Sequence, residues 1–143
     1  PEMAADILGI AADLVEGSKG VIGRARILIP LEQYNLAAVT KMSATGEETV
    51  LSYVKRVAQD ADNGSGIIES IRSWWRCKGA GAGATNRMVA YDPNEDHLGL
   101  ILPMEFNMQP PQDQNLAKVV NCIGSCGGVV VRYRIAMRYA DGL

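Results

Sequence analysis

The sequence predicts an α+β fold, and three observations carry that reading. Residues 2–16 and 47–61 repeat their apolar positions at helical spacing. Residues 129–140 alternate instead: Val129, Val131, Tyr133, Ile135, Met137 and Tyr139 take the odd positions, and Arg132, Arg134 and Arg138 fall among the even ones. Period 2 is the mark of a half-buried strand. Short apolar runs of strand length, bounded by Gly, Pro and Asp-rich turns, fill much of the chain between them.

In the first helix Met3, Ile7, Ile10, Ala11, Leu14 and Val15 form the apolar stripe, and Gly17, Ser18 and Gly20 end it. Arg24–Ile29 is a candidate buried strand stopped by Pro30. That proline suits the first turn of a helix, where its missing N–H leaves nothing unsatisfied, and Leu31–Val39 is that helix. Ser43–Gly46 is a turn. In the next helix, Glu47–Ala61, the apolar face is Val50, Leu51, Val54, Val57 and Ala58. Glu47 and Glu48 would lie in its first turn, where the dipole favours negative charge. Asp62–Gly66 is a loop. Ile67–Trp75 reads as a strand or a short helix, and Gly79–Ala84 as a flexible connection. Arg87–Tyr91 and His97–Leu102 suit a β-hairpin around Asp92–Asp96. Pro103 ends that hairpin, and Pro110-Pro111 marks an extended link. Residues 116–126 conflict: Leu116, Val119, Val120 and Ile123 have helical spacing, while the glycines at 124, 127 and 128 crowd the end. The alternating segment 129–140 is expected to be one long strand with an arginine row on one face.

A chain of 143 residues fits one domain. Fourteen Lys and Arg against 16 Asp and Glu give a net charge of −2, which argues against a nucleic-acid module held by a cationic surface. Apolar residues make up 48%, too many for wholesale disorder. No stretch approaches the 18 or so apolar residues of a membrane span. Residues 1–17 lack the basic start of a signal peptide. Cys77, Cys122 and Cys126 form no CxxC pair and suit neither a disulfide framework nor zinc, so free thiols in a reducing cytoplasm are expected. Asn63-Gly64-Ser65 matches a glycosylation pattern but is read as a turn.

Candidate chemistry is sparse. The run Gly79-Ala80-Gly81-Ala82-Gly83-Ala84 lacks the Gly-Lys-Ser/Thr of a phosphate loop and the spacing of a dinucleotide fingerprint. Asp92–Asp96 resembles the start of a calcium loop, but His97 stands where Gly is needed and Pro103 where the bidentate Glu should be. The lone histidine, His97, is expected to be a solvated turn residue. No catalytic, cofactor-binding or metal site is expected. The arginine row is the polar feature that stands out, since guanidinium groups pair with carboxylates or phosphate. Arg132, Arg134 and Arg138 are therefore candidate subunit-contact residues.

A series of motifs resembles the C-terminal part of phage and prophage major capsid proteins. It comprises Arg87-Met88-Val89-Ala90-Tyr91, Leu102-Pro103-Met104-Glu105-Phe106, Gln109-Pro110-Pro111-Gln112, Gly127-Gly128-Val129-Val130-Val131-Arg132-Tyr133 and Tyr139-Ala140-Asp141-Gly142-Leu143. Upstream, Ile27-Leu28-Ile29-Pro30-Leu31-Glu32-Gln33-Tyr34 is similar to that family's strand, proline and helix, and Thr49-Val50-Leu51-Ser52-Tyr53 to its next helix. The chain departs from the pattern at Arg134, where the family usually has Pro.

The resemblance implies a mixed sheet flanked by helices, like the axial domain of the tailed-phage capsid fold, and strand rather than helix over 116–126. It implies that residues 1–143 form a single domain, the axial domain plus the returning C-terminal strand. The family's N-terminal arm, extended loop and most of its peripheral domain have no counterpart here. The implied function is structural: self-association into pentamers and hexamers of an icosahedral shell, with packaged DNA touched only non-specifically. No enzyme activity, cofactor or membrane is implied. The implied locations are the virion and, during assembly, the host cytoplasm. Two rivals remain at this point. One is a small α+β ligand-binding or enzymatic domain using the Gly-rich loop 79–84. The other is a host-encoded compartment shell of the same fold.

Overall fold

The structure is a computed structural model that describes residues 2–43, 46–58 and 66–142. Helix α1 spans Glu2–Gly17 and leads into strand β1, Ala25–Ile29. Helix α2, Leu31–Val39, follows Pro30, whose carbonyl accepts the first helical bond from the Tyr34 N–H at 2.9 Å. Pro30 has extended backbone (φ −55°, ψ 145°), so it stands one position outside the helix rather than in its first turn. Helix α3 spans Val50–Ala58 and strand β2 Ile68–Ser73.

Helix α3 starts later than its charge pattern predicts. Thr49 Oγ1 accepts the Ser52 N–H and serves as the N-cap. Glu47 and Glu48 therefore lie before the helix. Glu48 binds Arg56, with Nε to Oε1 at 2.9 Å and Nη2 to Oε2 at 3.1 Å. The expected end of this helix at 59–61 and most of the loop after it lie outside the described residues, as does the middle of the 43–46 turn.

Strand β3, Arg87–Tyr91, and strand β10, Met137–Asp141, complete a four-stranded sheet in the order β10-β3-β1-β2. β1 and β2 are parallel, and the α2–α3 crossover between them supplies the chain length that a parallel pair needs. The other pairs are antiparallel, so the sheet is mixed, as expected. All three helices contribute to one core cluster with the sheet. Ala25, Ile27 and Ile29 of β1 are buried, while Arg26 and Leu28 between them are half-exposed. The helices thus gather on one face. Leu14, Ile27, Ile68, Met88, Val50, Val54 and Pro30 are the largest of the described side chains withdrawn from water. Burial of each one other than the proline contributes roughly 1.5–3 kcal/mol.

The remaining strands leave this body. β4 (Leu98–Ile101) pairs with β9 (Gly128–Val131), β5 (Met104–Met108) with β8 (Cys122–Ser125), and β6 (Gln112–Gln114) with β7 (Ala117–Val119), all antiparallel. The three ladders follow one another along the same two arms and make a single two-stranded ribbon. Two expectations are corrected here. Arg87–Tyr91 and His97–Leu102 are not partners in a hairpin, because β3 pairs with β1 and β10, and β4 with β9. The segment 129–140 is not one strand. It breaks into β9, a 3-10 turn at Arg134–Ala136 and β10, because its first part belongs to the ribbon and its last part to the sheet. Residues 116–126 are largely strand, in agreement with the resemblance rather than with their helical spacing.

Candidate assembly surface

The ribbon has arms of 17 and 15 residues, 98–114 and 117–131, so at strand rise it reaches about 50 Å from its base. It packs chiefly on itself: every residue of β5, β6 and β8 is exposed. Leu100, Ile101, Leu102, Met104, Phe106, Met108, Ile123 and Val129 all face water. Phe106 is 71% exposed. Over residues 98–131 the only charged side chains are Glu105, Asp113 and Lys118. Two strands alone do not make an independently stable sheet, and an apolar ribbon with both edges open is a template for pairing. The sequence held one signal for it, a charge-poor stretch of 34 residues in a chain that is 21% charged overall.

At the tip, Gln114 pairs with Ala117, leaving Asn115 and Leu116 as a two-residue turn. Both have positive φ, 49° and 67°. That geometry matches the twist of a two-stranded ribbon. Asn suits it, but a leucine in this region costs about 1–2 kcal/mol. Leu116 is also fully exposed, at 111%.

Two chain corners tie the ribbon to the body. The Asp92 N–H donates to the Ala136 carbonyl at 3.0 Å, and the Arg132 N–H to the His97 carbonyl at 2.9 Å. His97 is not a solvated turn residue. Its Nδ1 lies 2.6 Å from Asp92 Oδ2, and its ring meets Tyr133 edge-on, with centroids 5.2 Å apart. Beside this corner is an open cleft of about 730 Å³. Val21, Ile22, Tyr133 and Ile135 line it with apolar surface, and Asp96, His97 and Arg132 also border it.

The three candidate arginines fall in three different segments, though Arg134 and Arg138 border one shallow depression. Arg132 borders the cleft, Arg134 begins the 3-10 turn, and Arg138 lies in β10. Arg138 covers the end of α1 so closely that a Cβ added to Gly17 would stand 2.5 Å from its Nη2. There a cation favours the helix dipole. Arg132 and Arg134 are exposed and form no ion pair among the described residues.

The Gly-rich run is an ordered turn rather than a flexible connection. The Gly81 N–H donates to the Thr85 carbonyl at 2.8 Å, Ala82 to Asp141 Oδ2 at 3.1 Å, Ala84 to the Gly81 carbonyl at 3.1 Å and Gly79 to Asn86 Oδ1 at 3.3 Å. A phosphate cradle needs such N–H groups aimed outward, and here four of the six are bonded within the chain. Among the described residues no group of His, Cys, Asp and Glu could hold a metal ion. Cys77 is buried and Cys122 and Cys126 are exposed, all as free thiols. Burial pushes the Cys77 thiol pKa up. Among the described residues no helix is long and apolar enough to cross a membrane.

A family model described as major capsid protein matches residues 1–143. The chain belongs to that major capsid protein family. No curated protein matches the sequence. Among solved structures, the capsid of Myoviridae phage XM1 is similar over 99% of this capsid-family chain, with a TM-score of 0.80 and 19% identity. A virus-like particle from Pyrococcus furiosus is similar over 94%, with a TM-score of 0.57 and 10% identity. The chain spans about half the length of each, 46% and 50%. These likenesses establish the fold, and with the family they point to a structural role.

Proposed function

We propose that this chain is the axial-domain part of a shell subunit, together with its returning C-terminal strand, and that copies of it associate around fivefold and sixfold positions of an icosahedral phage head. The observation that carries this reading is the ribbon: an exposed, nearly uncharged double strand on a body of the major capsid family. An exposed apolar surface of this kind marks a place where another polypeptide docks. On this reading the protein catalyses no reaction and takes no cofactor. It assembles in the host cytoplasm and ends in the virion. A net charge of −2 suits contact with packaged DNA that is non-specific.

Arg132 and Arg134 are the contact residues this reading favours, while Arg138 is engaged with α1. The test is light scattering and electron microscopy of the purified protein across a concentration series. Rings or closed shells are expected, with assembly weakened by Arg132→Glu and Arg134→Glu. A protein that stays monomeric at high concentration overturns the proposal.

A further inference from the structure

The tip of the ribbon and the cleft at its base are each unsatisfied, and they complement one another. Leu116 is unfavourable where it stands on two independent counts. Its backbone is in the left-handed region, and its side chain touches little but water. Glycine or asparagine would relieve the first and a polar residue the second. Local folding therefore gives no reason for leucine here. The cleft has the opposite character, a concave surface where Val21, Tyr133 and Ile135 are exposed to solvent over the buried Ile22.

We propose that the Leu116 tip of one subunit seats in the cleft of a second copy of this chain. The inference rests on the shell reading and names its contact. Charge selects this occupant. Asp113 and Lys118 face each other next to the tip, and Asp96 and Arg132 stand at the cleft. Each pair offers one acid and one base, so a docked tip sets Lys118 against Asp96 and Asp113 against Arg132. Among the described residues none of the four already forms an ion pair. Tip and cleft lie at opposite ends of the ribbon, about 50 Å apart at strand rise, so a subunit cannot fill its own cleft. The contact is head-to-tail, and repeating it gives a ring or an open chain of subunits.

Disulfide trapping tests this directly. The protein carries Leu116→Cys and Ile135→Cys, with Cys122→Ser and Cys126→Ser and the buried Cys77 left in place. A control carries Leu116→Cys with Val39→Cys, an exposed position on α2 outside the cleft. Mild oxidation should give a ladder of linked multimers at least tenfold stronger for the 116–135 pair than for the control. Equal linking, or none, overturns the contact. A reversed pair is the second measurement. Arg132→Asp should reduce linking by the 116–135 pair, and adding Asp113→Arg should restore it. No rescue means that charge does not select the tip. Microscopy separates the two proposals. A ladder without rings or closed shells keeps the contact and removes the shell reading, and rings or closed shells without a ladder do the reverse.

Discussion

Arg87 holds Asp141 through two hydrogen bonds, Nε to Oδ1 at 2.6 Å and Nη2 to Oδ2 at 2.9 Å, across directly paired positions of β3 and β10. The same guanidinium lies 4.8 Å from the centre of the Tyr139 ring, and the Ala82 N–H donates to the same carboxylate. One carboxylate thus pins the last strand and the Gly-rich turn together. Arg87 and the Ala82 N–H hold its pKa down to about 2 from the ordinary 3.8.

A lowered pKa stabilises the fold above the unfolded value, and that stability is lost as the pH falls through the folded one. The contribution of Asp141 should therefore be complete above roughly pH 4 and disappear towards roughly pH 2. Thermal melts across that window should fall more steeply for the wild type than for Asp141→Asn, which should also melt lower at neutral pH. Parallel curves would show that the pair adds nothing.

Ile27 is fully buried on a central strand between the helices and the rest of the core. Ile27→Ala should cost about 2–5 kcal/mol, the range for such cavities. Urea unfolding followed by circular dichroism measures it. A change below about 1 kcal/mol means the site collapses around the smaller side chain.

Lys118 is exposed and sits beside the ribbon tip. Trypsin should cut the free subunit after Lys118 early in digestion, and assembled material should resist at that bond. Mass spectrometry of timed digests reads both. Equal cutting in the two states would place the tip outside the contacts.

With four of its six N–H groups bonded within the chain, the Gly-rich turn is a poor cradle for phosphate. A panel of nucleotides and inorganic phosphate should leave the melting temperature unchanged. A rise that grows with ligand concentration would signal binding and restore the ligand-binding alternative.

What could be read in advance follows from where each residue finds its partners. Helix α1, strand β1 and helix α2 are legible because their stripes, caps and proline act within a few residues. The late start of α3 depends on Thr49 capping Ser52, while the two glutamates before it suggest an earlier turn. The segment 129–140 keeps its alternation through the break at Arg134–Ala136, since β9 and β10 are both strands and one period serves both. What changes is the partner strand, a long-range fact. The supposed hairpin at Asp92–Asp96 fails for the same reason. Its turn takes the chain out of the sheet, and residues 132–136 bring it back. The ribbon leaves a compositional trace in its missing charges, but pattern alone does not say that it stands clear of the body.

The corner at His97 and Tyr133 has a geometric consequence. It joins a small, bonded pivot to an arm about 50 Å long at strand rise. A rotation of about 10° at that pivot carries Leu116 through roughly 9 Å over an arm of that length. On the shell reading proposed above, a turn at the His97–Asp92 corner would let identical chains meet neighbours at different angles while each keeps its own fold.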